Sequence, residues 1–135
     1  CLSVGNPHCV IFVDDLDTFP VEKLGPKIEN HSLFPKRVNV EFVQVLDKHN
    51  LRVRVWERGV GETMACGTGA CASVVAGKIL GKTAERCTVH LLGGDLDVEY
   101  VDDAILMSGP AETVFEGTMN LECALILNAR GRRVD

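Results

Sequence analysis

The sequence predicts an α+β domain in which a mostly antiparallel, curled sheet wraps around one central buried helix. Three observations predict it. Apolar and polar residues alternate with period two in several segments, the signature of half-buried strands. Residues 68–80 read as a helix that is apolar or small nearly all round, through Ala70, Cys71, Ala72, Val74, Val75, Ala76, Ile79 and Leu80. Such a helix is buried on all sides. Strand-like segments also outnumber helical ones, which favours a sheet with a helix packed into it.

Taken in order, residues 10–13 form a short buried strand. Asp14, Asp15 and Asp17 end it, and Thr18 or Asp17 is placed to cap a helix over residues 20–30. Val38, Val40, Phe42 and Val43 begin a strand with mixed faces. Asp47-Lys48-His49-Asn50 is a polar turn, and Leu51, Val53 and Val55 then alternate with Arg52, Arg54 and Trp56. The two strands and the turn make a hairpin. Residues 57–66, with Gly59 and Gly61, read as a loop. The helix over 68–80 ends at Gly81, in the position where a left-handed residue closes a helix. Residues 87–92, 96–101, 104–108 and 113–115 form a meander, with turns at Gly93-Gly94 and Asp102-Asp103. Residues 119–127 are either another strand or a docking segment.

A length of 135 residues corresponds to one domain, spanning 1–135, and is long enough to bury a core without staples. The composition is 46% hydrophobic and 24% charged, which places it among ordinary soluble globular domains. A net charge of −5, with Lys and Arg spread along the chain, supplies no basic face for replacing phosphate counterions. Nucleic-acid binding is excluded on that ground. The longest fully apolar stretch, residues 9–13, falls far short of the ~20 residues needed to span a bilayer. No signal-peptide pattern opens the chain. It begins at Cys1 inside an apolar, strand-like segment, so a missing N-terminal part is expected.

Six cysteines stand at positions 1, 9, 66, 71, 87 and 123, without a Cys-x-x-Cys pair, so no structural zinc is expected. Long, well-patterned apolar segments argue against a disulfide scaffold. Reduced thiols and a cytoplasmic location follow. Cys9, Cys71, Cys87 and Cys123 lie in apolar runs as small core residues.

The chemistry concentrates in Thr63-Met64-Ala65-Cys66-Gly67-Thr68-Gly69-Ala70. Cys66 sits between a Gly-containing loop and the first turn of the buried helix. Unpaired N–H groups converge there, and the helix dipole adds partial positive charge. The thiolate form of Cys66 is therefore expected to be favoured. The same N–H groups suit a substrate carboxylate, and Gly67 and Gly69 let it approach the backbone. The plain alternative is a packing cysteine beside a tight, Thr-capped turn.

Three further features stand beside it. In Gly5-Asn6-Pro7-His8, Pro7 holds Asn6 extended, and His8 is either a proton carrier near a thiol or a backbone-bonded histidine at a strand start. In Trp56-Glu57-Arg58-Gly59, Arg58 can clamp a carboxylate with two parallel hydrogen bonds, and Glu57 can receive an ammonium group or act in proton transfer. A solvated ion pair is the bland reading of the same two residues. Asn39, in Arg37-Val38-Asn39-Val40, is either a satisfied buried amide or a ligand contact.

Together these segments, with the closing Gly109-Pro110-Ala111-Glu112 and Val114-Phe115, resemble the diaminopimelate epimerase family over residues 5–117. The Glu-Arg-Gly-x-Gly run leading into Ala65-Cys66-Gly67-Thr68-Gly69-Ala70 is the specific part. Proline racemases share the Cys-Gly-Thr-Gly element only. The resemblance implies two similar domains, each a sheet around a central helix, with the site in the cleft between them. It implies interconversion of L,L- and meso-diaminopimelate, toward lysine and peptidoglycan precursors, by two cysteines without pyridoxal phosphate, other cofactor or metal. Cys66 would be one base. His8 and Glu57 would assist proton handling, and Gly67 and Thr68 would donate backbone N–H bonds to the reacting carboxylate. Asn6, Asn39 and Arg58 would hold the distal end of a small amino-acid substrate.

The second thiol has no counterpart here, because Cys1 and Cys9 lack its motif and Cys71 lies on the buried helix. The chain therefore reads as the C-terminal half, inactive alone and partnered by an N-terminal domain. Residues 118–135 would dock either on that domain or on a second copy of the chain, a homodimer being a further association open to it. Two other functions stay open: a proline-type racemase of the same fold, against which the Glu57-Arg58 pair argues, and a hydrolase or binding module using Cys66 with His8.

Overall fold

The computed structural model describes residues 1–118. Eight strands and two helices follow in the order β1 (Leu2–Ser3), β2 (Pro7–Phe12), α1 (Val21–Glu29), β3 (Asn39–Val45), β4 (Asn50–Glu57), β5 (Gly61–Thr63), α2 (Gly67–Ile79), β6 (Arg86–Leu91), β7 (Gly94–Val101) and β8 (Ala104–Ser108). The strands form one curled sheet in the spatial order β1-β2-β3-β4-β6-β7-β8. Five of the seven pairings are antiparallel; β2 with β3 and β4 with β6 are parallel. The expected α+β class, a mostly antiparallel sheet around a helix, is the observed one.

Side-chain alternation divides the sheet into two faces. The inner face carries Val10 and Phe12 of β2, Val43 of β3, Leu51, Val53 and Val55 of β4, Cys87 and Val89 of β6 and Val98 of β7, all packed with Ala70 and Val74 of α2. The outer face of β2, β3 and β4 carries Cys9, Ile11, Val38, Val40, Phe42 and Trp56, covered by Val21, Leu24 and Ile28 of α1. The sequence reading had the sheet curled around one helix; the second helix seals the opposite face of half the sheet. β3 is in consequence buried on both sides over residues 39–43.

α2 is buried through Gly69, Ala70, Ala72, Ser73, Val74, Val75 and Gly77, while its last residues Ile79 and Leu80 are exposed. Thr68 in the first turn is exposed as well, so the expected all-round burial holds along the middle of the helix and fails at both ends. Gly81, at φ +68°, closes the helix: its N–H donates to Lys78 O and the next N–H, of Lys82, to Gly77 O. That double bond pattern is what a left-handed glycine after a helix permits.

Three expectations about elements need correction. Neither Thr18 nor Asp17 caps α1, which starts after Pro20 with no side-chain cap. The Thr18 hydroxyl and the Asp17 N–H both donate to Asp15, and Asp17 pairs with Arg52 across the sheet. Residues 57–66 are not all loop. Glu57 to Val60 is a turn closed by Val60 N–H donating to Glu57 O, with Gly59 at φ +79°, and β5 then returns along the end of β4. Arg54 fixes that return through two bonds to Glu62, at 2.7 and 2.9 Å. Residues 113–115 form no strand and are exposed. The segment 119–127 lies outside the described residues.

Candidate active site

Strand direction gathers the predicted site residues at one end of the inner face. His8 near the start of β2 is registered with Asn39 at the start of the parallel β3. Antiparallel β4 runs the other way, so Glu57 at its end arrives beside Asn39. Helix α2 begins at the same end, with Cys66 in front of it. His8, Asn39 and Glu57 share the face that α2 occupies, since each is an even number of residues from an inward apolar neighbour.

Cys66 is the N-cap of α2. Its backbone is extended (φ −143°, ψ 106°) and its Sγ accepts the Gly69 N–H at 3.4 Å, the bond a Ser or Thr cap makes. Thr68 Oγ1 lies 3.6 Å from the same sulfur. The N–H groups of Gly67 and Thr68 belong to the first turn and have no intrahelical acceptor. Both glycines sit in close quarters. A Cβ on Gly67 would meet Met107 Sδ at 3.1 Å, and one on Gly69 would meet Glu41 Oε1 at 2.9 Å and Cys66 Sγ at 3.3 Å.

The surroundings of Cys66 work against the expectation of a favoured thiolate. Burial pushes the thiol up; bonds from Thr68 and Gly69 pull it down; the carboxylates of Glu57 and Glu41 push it up again, and the net direction is upward. That expectation rests on the partial charge at the helix N-terminus alone; burial and the two acids act in the opposite sense.

His8 is fully buried at this end of the inner face. Its Nδ1 lies 2.6 Å from Glu41 Oε1 and its Nε2 lies 2.9 Å from Asn6 Oδ1. Asn6 Nδ2 donates to Thr68 Oγ1 at 3.2 Å. Asn39 faces two ways: its Nδ2 donates to Pro7 O and its Oδ1 accepts the Arg58 N–H. Glu57 Oε1 accepts the Thr63 hydroxyl at 2.8 Å. Arg58 Nη1 donates to Lys36 O, and among the described residues Glu57 and Arg58 form no ion pair with each other.

Two acids escaped the sequence reading. Glu41 is wholly buried against His8, and Glu29 receives Trp56 Nε1, the Gly59 N–H and Arg37 at 2.8, 2.8 and 3.2 Å. Glu41 had one visible signal, a charged residue inside the run Val38-Asn39-Val40-Glu41-Phe42-Val43. No group of three or more His, Cys, Asp or Glu side chains is arranged to hold a metal among the described residues, and no described helix is long and apolar enough to cross a membrane.

A mixed half-barrel around a helix is an architecture found in solved structures. A crystal structure of a PhzF-family phenazine biosynthesis protein from Enterococcus faecalis superposes with a TM-score of 0.56 at 17% identity, covering 73% of this chain and 35% of that one. A PhzC/PhzF protein from Clostridium difficile gives 0.54 at 22% identity, over 73% and 35%. These likenesses show the fold. Residues 1–114 match the family described as diaminopimelate epimerase, and the chain belongs to that family. Relatives named diaminopimelate epimerase include those of Moorella thermoacetica, 56% identical over 90% of this chain, and Pelotomaculum thermopropionicum, 61% identical over 86%. The chain spans 44% and 42% of the length of these two relatives.

Proposed function

We propose that this chain is the C-terminal half of a diaminopimelate epimerase, and that Cys66 is one of two thiols that exchange the α-proton of the substrate. The single observation that carries the reading is Cys66 as the N-cap of α2, with the first-turn N–H groups of Gly67 and Thr68 beside it. A carboxylate bound by those N–H groups sets its α-carbon next to the sulfur. The same donors stabilise the charge that builds on the carboxylate as the α-proton leaves. No pyridoxal phosphate or metal is needed in this scheme.

Inversion needs a proton removed from one face of the carbon and one returned to the other. As a thiol Cys66 returns the proton in one direction, and as a thiolate it removes it in the other. The opposite face belongs to a second domain, which supplies the second thiol. Met64 and Met107, 62% and 50% exposed, stand on the flanks of the α2 N-terminus, and an apolar rim of this kind fits a covered cleft. Glu57 assists proton handling from the end of β4. Arg58, held through its backbone by Asn39, takes the distal carboxylate, while Asn6 and Asn39 complete the grip. His8 acts from below, through Asn6.

The hydrolase alternative is disfavoured by the same geometry. Both ring nitrogens of His8 are engaged, by Glu41 and Asn6, so Cys66 has no histidine base within this chain. A proline-type racemase leaves Arg58 without a carboxylate to clamp. The test is chiral analysis of product from the full-length protein, offered L,L-diaminopimelate and L-proline separately. Conversion of the first to the meso isomer and none of the second is expected. Racemisation of proline alone would replace this reading with the racemase one.

A further inference from the structure

Beneath Cys66 runs a continuous line of hydrogen bonds: Glu41, His8, Asn6, Thr68 and then the sulfur. Its direction can be worked out from its parts. Asn6 presents Oδ1 to His8, so His8 Nε2 carries a hydrogen and donates. Asn6 then has Nδ2 for Thr68, whose Oγ1 accepts. A hydroxyl that accepts from one side keeps its own hydrogen for the other. The Thr68 hydrogen is therefore directed at Cys66 Sγ. Every bond from His8 onward points the same way, toward the sulfur.

What fixes the direction is the far end. His8 Nδ1 and Glu41 Oε1, both at 0% exposure, lie 2.6 Å apart, and a contact that short requires one hydrogen between them. With Nε2 already protonated, the pair holds a single shared proton and no net charge, the form a buried site tolerates. Burial pushes the Glu41 carboxyl up despite the bonds to His8 that pull it down. Its second oxygen, Oε2, is buried without a hydrogen-bond partner among the described residues, as a protonated or proton-sharing carboxyl permits more readily than a full carboxylate. The glycine at position 69 leaves the space into which this carboxyl fits.

We propose that Glu41 is a positioning residue for Cys66: its buried carboxyl holds the His8 proton on Nε2 and, through Asn6 and Thr68, makes the sulfur the acceptor at the end of the chain. The proposal rests on the reading of Cys66 as the reacting thiol. A donor aimed at the sulfur stabilises its thiolate form, so Glu41 tunes how readily Cys66 gives up and regains its proton without touching substrate. The titratable groups within electrostatic reach of the pair are Glu57 on β4, Cys66 itself and, through the sheet, Cys9 on the outer face of β2.

The test uses the full-length protein, with Glu41→Met and Glu41→Gln. Nitrogen-15 spectra of His8 report which ring nitrogen is protonated, and iodoacetate alkylation of Cys66 against pH reports its thiolate. In the unsubstituted protein His8 is expected in the Nε2-protonated form. Glu41→Met should mix the His8 tautomers and move the alkylation profile upward by about one pH unit, the scale of losing one hydrogen bond to a charged acceptor. Glu41→Gln, whose amide can donate to Nδ1, should keep both readouts in place, a rescue that simple filling of space does not predict. An unsubstituted protein with His8 protonated on Nδ1 alone overturns the proposal, as does an unmoved profile in a folded Met variant. Should the Met variant not fold, the His8 spectrum of the unsubstituted protein and the Gln variant decide. Neither readout needs turnover, so a protein that fails to epimerise diaminopimelate overturns the functional reading and leaves this test standing.

Discussion

Two buried glutamates, Glu29 and Glu41, sit behind the same set of strand ends and behave in opposite ways. Glu29 lies at the end of α1, covered from solvent but shallowly, and receives three donors: Trp56 Nε1, the Gly59 N–H and Arg37. Burial opposes its ionisation, yet those donors outweigh burial and hold the carboxyl below its ordinary range. Glu41 lies deep, with His8 as its side-chain partner, and burial carries it upward. The number and kind of donors, set against depth, decides which carboxyl is pulled down and which is pushed up. Glu29 is a clasp that ties the Glu57-Arg58-Gly59 turn to α1. Glu41 is linked by hydrogen bonds to the candidate reacting sulfur.

If that division is right, damage on the Glu29 side should appear as lost stability and damage on the Glu41 side as altered thiol chemistry. The largest effect is expected from Gly25→Ala. A Cβ there would stand 2.5 Å from ring atoms of Trp56, forcing the indole away from Glu29. Overpacking of this kind costs about 3 kcal/mol, read by urea denaturation, with the alkylation profile of Cys66 unchanged in the folded fraction. A shifted profile would show that the two regions are coupled.

Gly69→Ala should do the reverse. Alanine gains about 1 kcal/mol over glycine within a helix, while the contacts with Glu41 and Cys66 take back a similar amount. Net stability should move by no more than about 1 kcal/mol, and Cys66 reactivity should change visibly. Loss of stability as large as that of Gly25→Ala would contradict the contrast.

The smallest effect is in the pH dependence of stability. Glu29 is depressed in the folded state, so its contribution is present above the unfolded carboxyl value, about 4.3, and is lost as pH falls through the folded one. Glu41 is raised, so its contribution is present below about 4.3 and is lost as pH rises through the folded value. Relative to the unsubstituted protein, Glu29→Gln should therefore look worse toward neutral pH and Glu41→Gln better. Melting temperatures from pH 4 to 7 check the two signs, and like signs would break the comparison.

Much of this was legible in the sequence. The β3–β4 hairpin, the start and end of α2 and the convergence on Cys66 follow from alternation, glycine placement and the all-round apolar helix. β5 was hidden because a three-residue strand next to two glycines has no period to read. Glu41 stands out as a charge in an apolar run, but its burial was hidden because that depends on β3 being covered on both faces, by α1 and α2. The upward direction of the Cys66 thiol was missed for a related reason. The helix N-terminus is visible in sequence, whereas the burial and the two neighbouring acids that oppose it are tertiary.

The most direct measurement is α-proton exchange of L,L-diaminopimelate in D2O by the full-length protein and its Cys66→Ser variant. Serine retains an acceptor for the Gly69 N–H, so the cap on α2 is preserved while the thiol is lost. Exchange by the full-length protein, reduced in the folded Ser variant by about a hundredfold or more, is the expected result. Exchange that continues undiminished in that variant would remove Cys66 from the reaction and contradict the account.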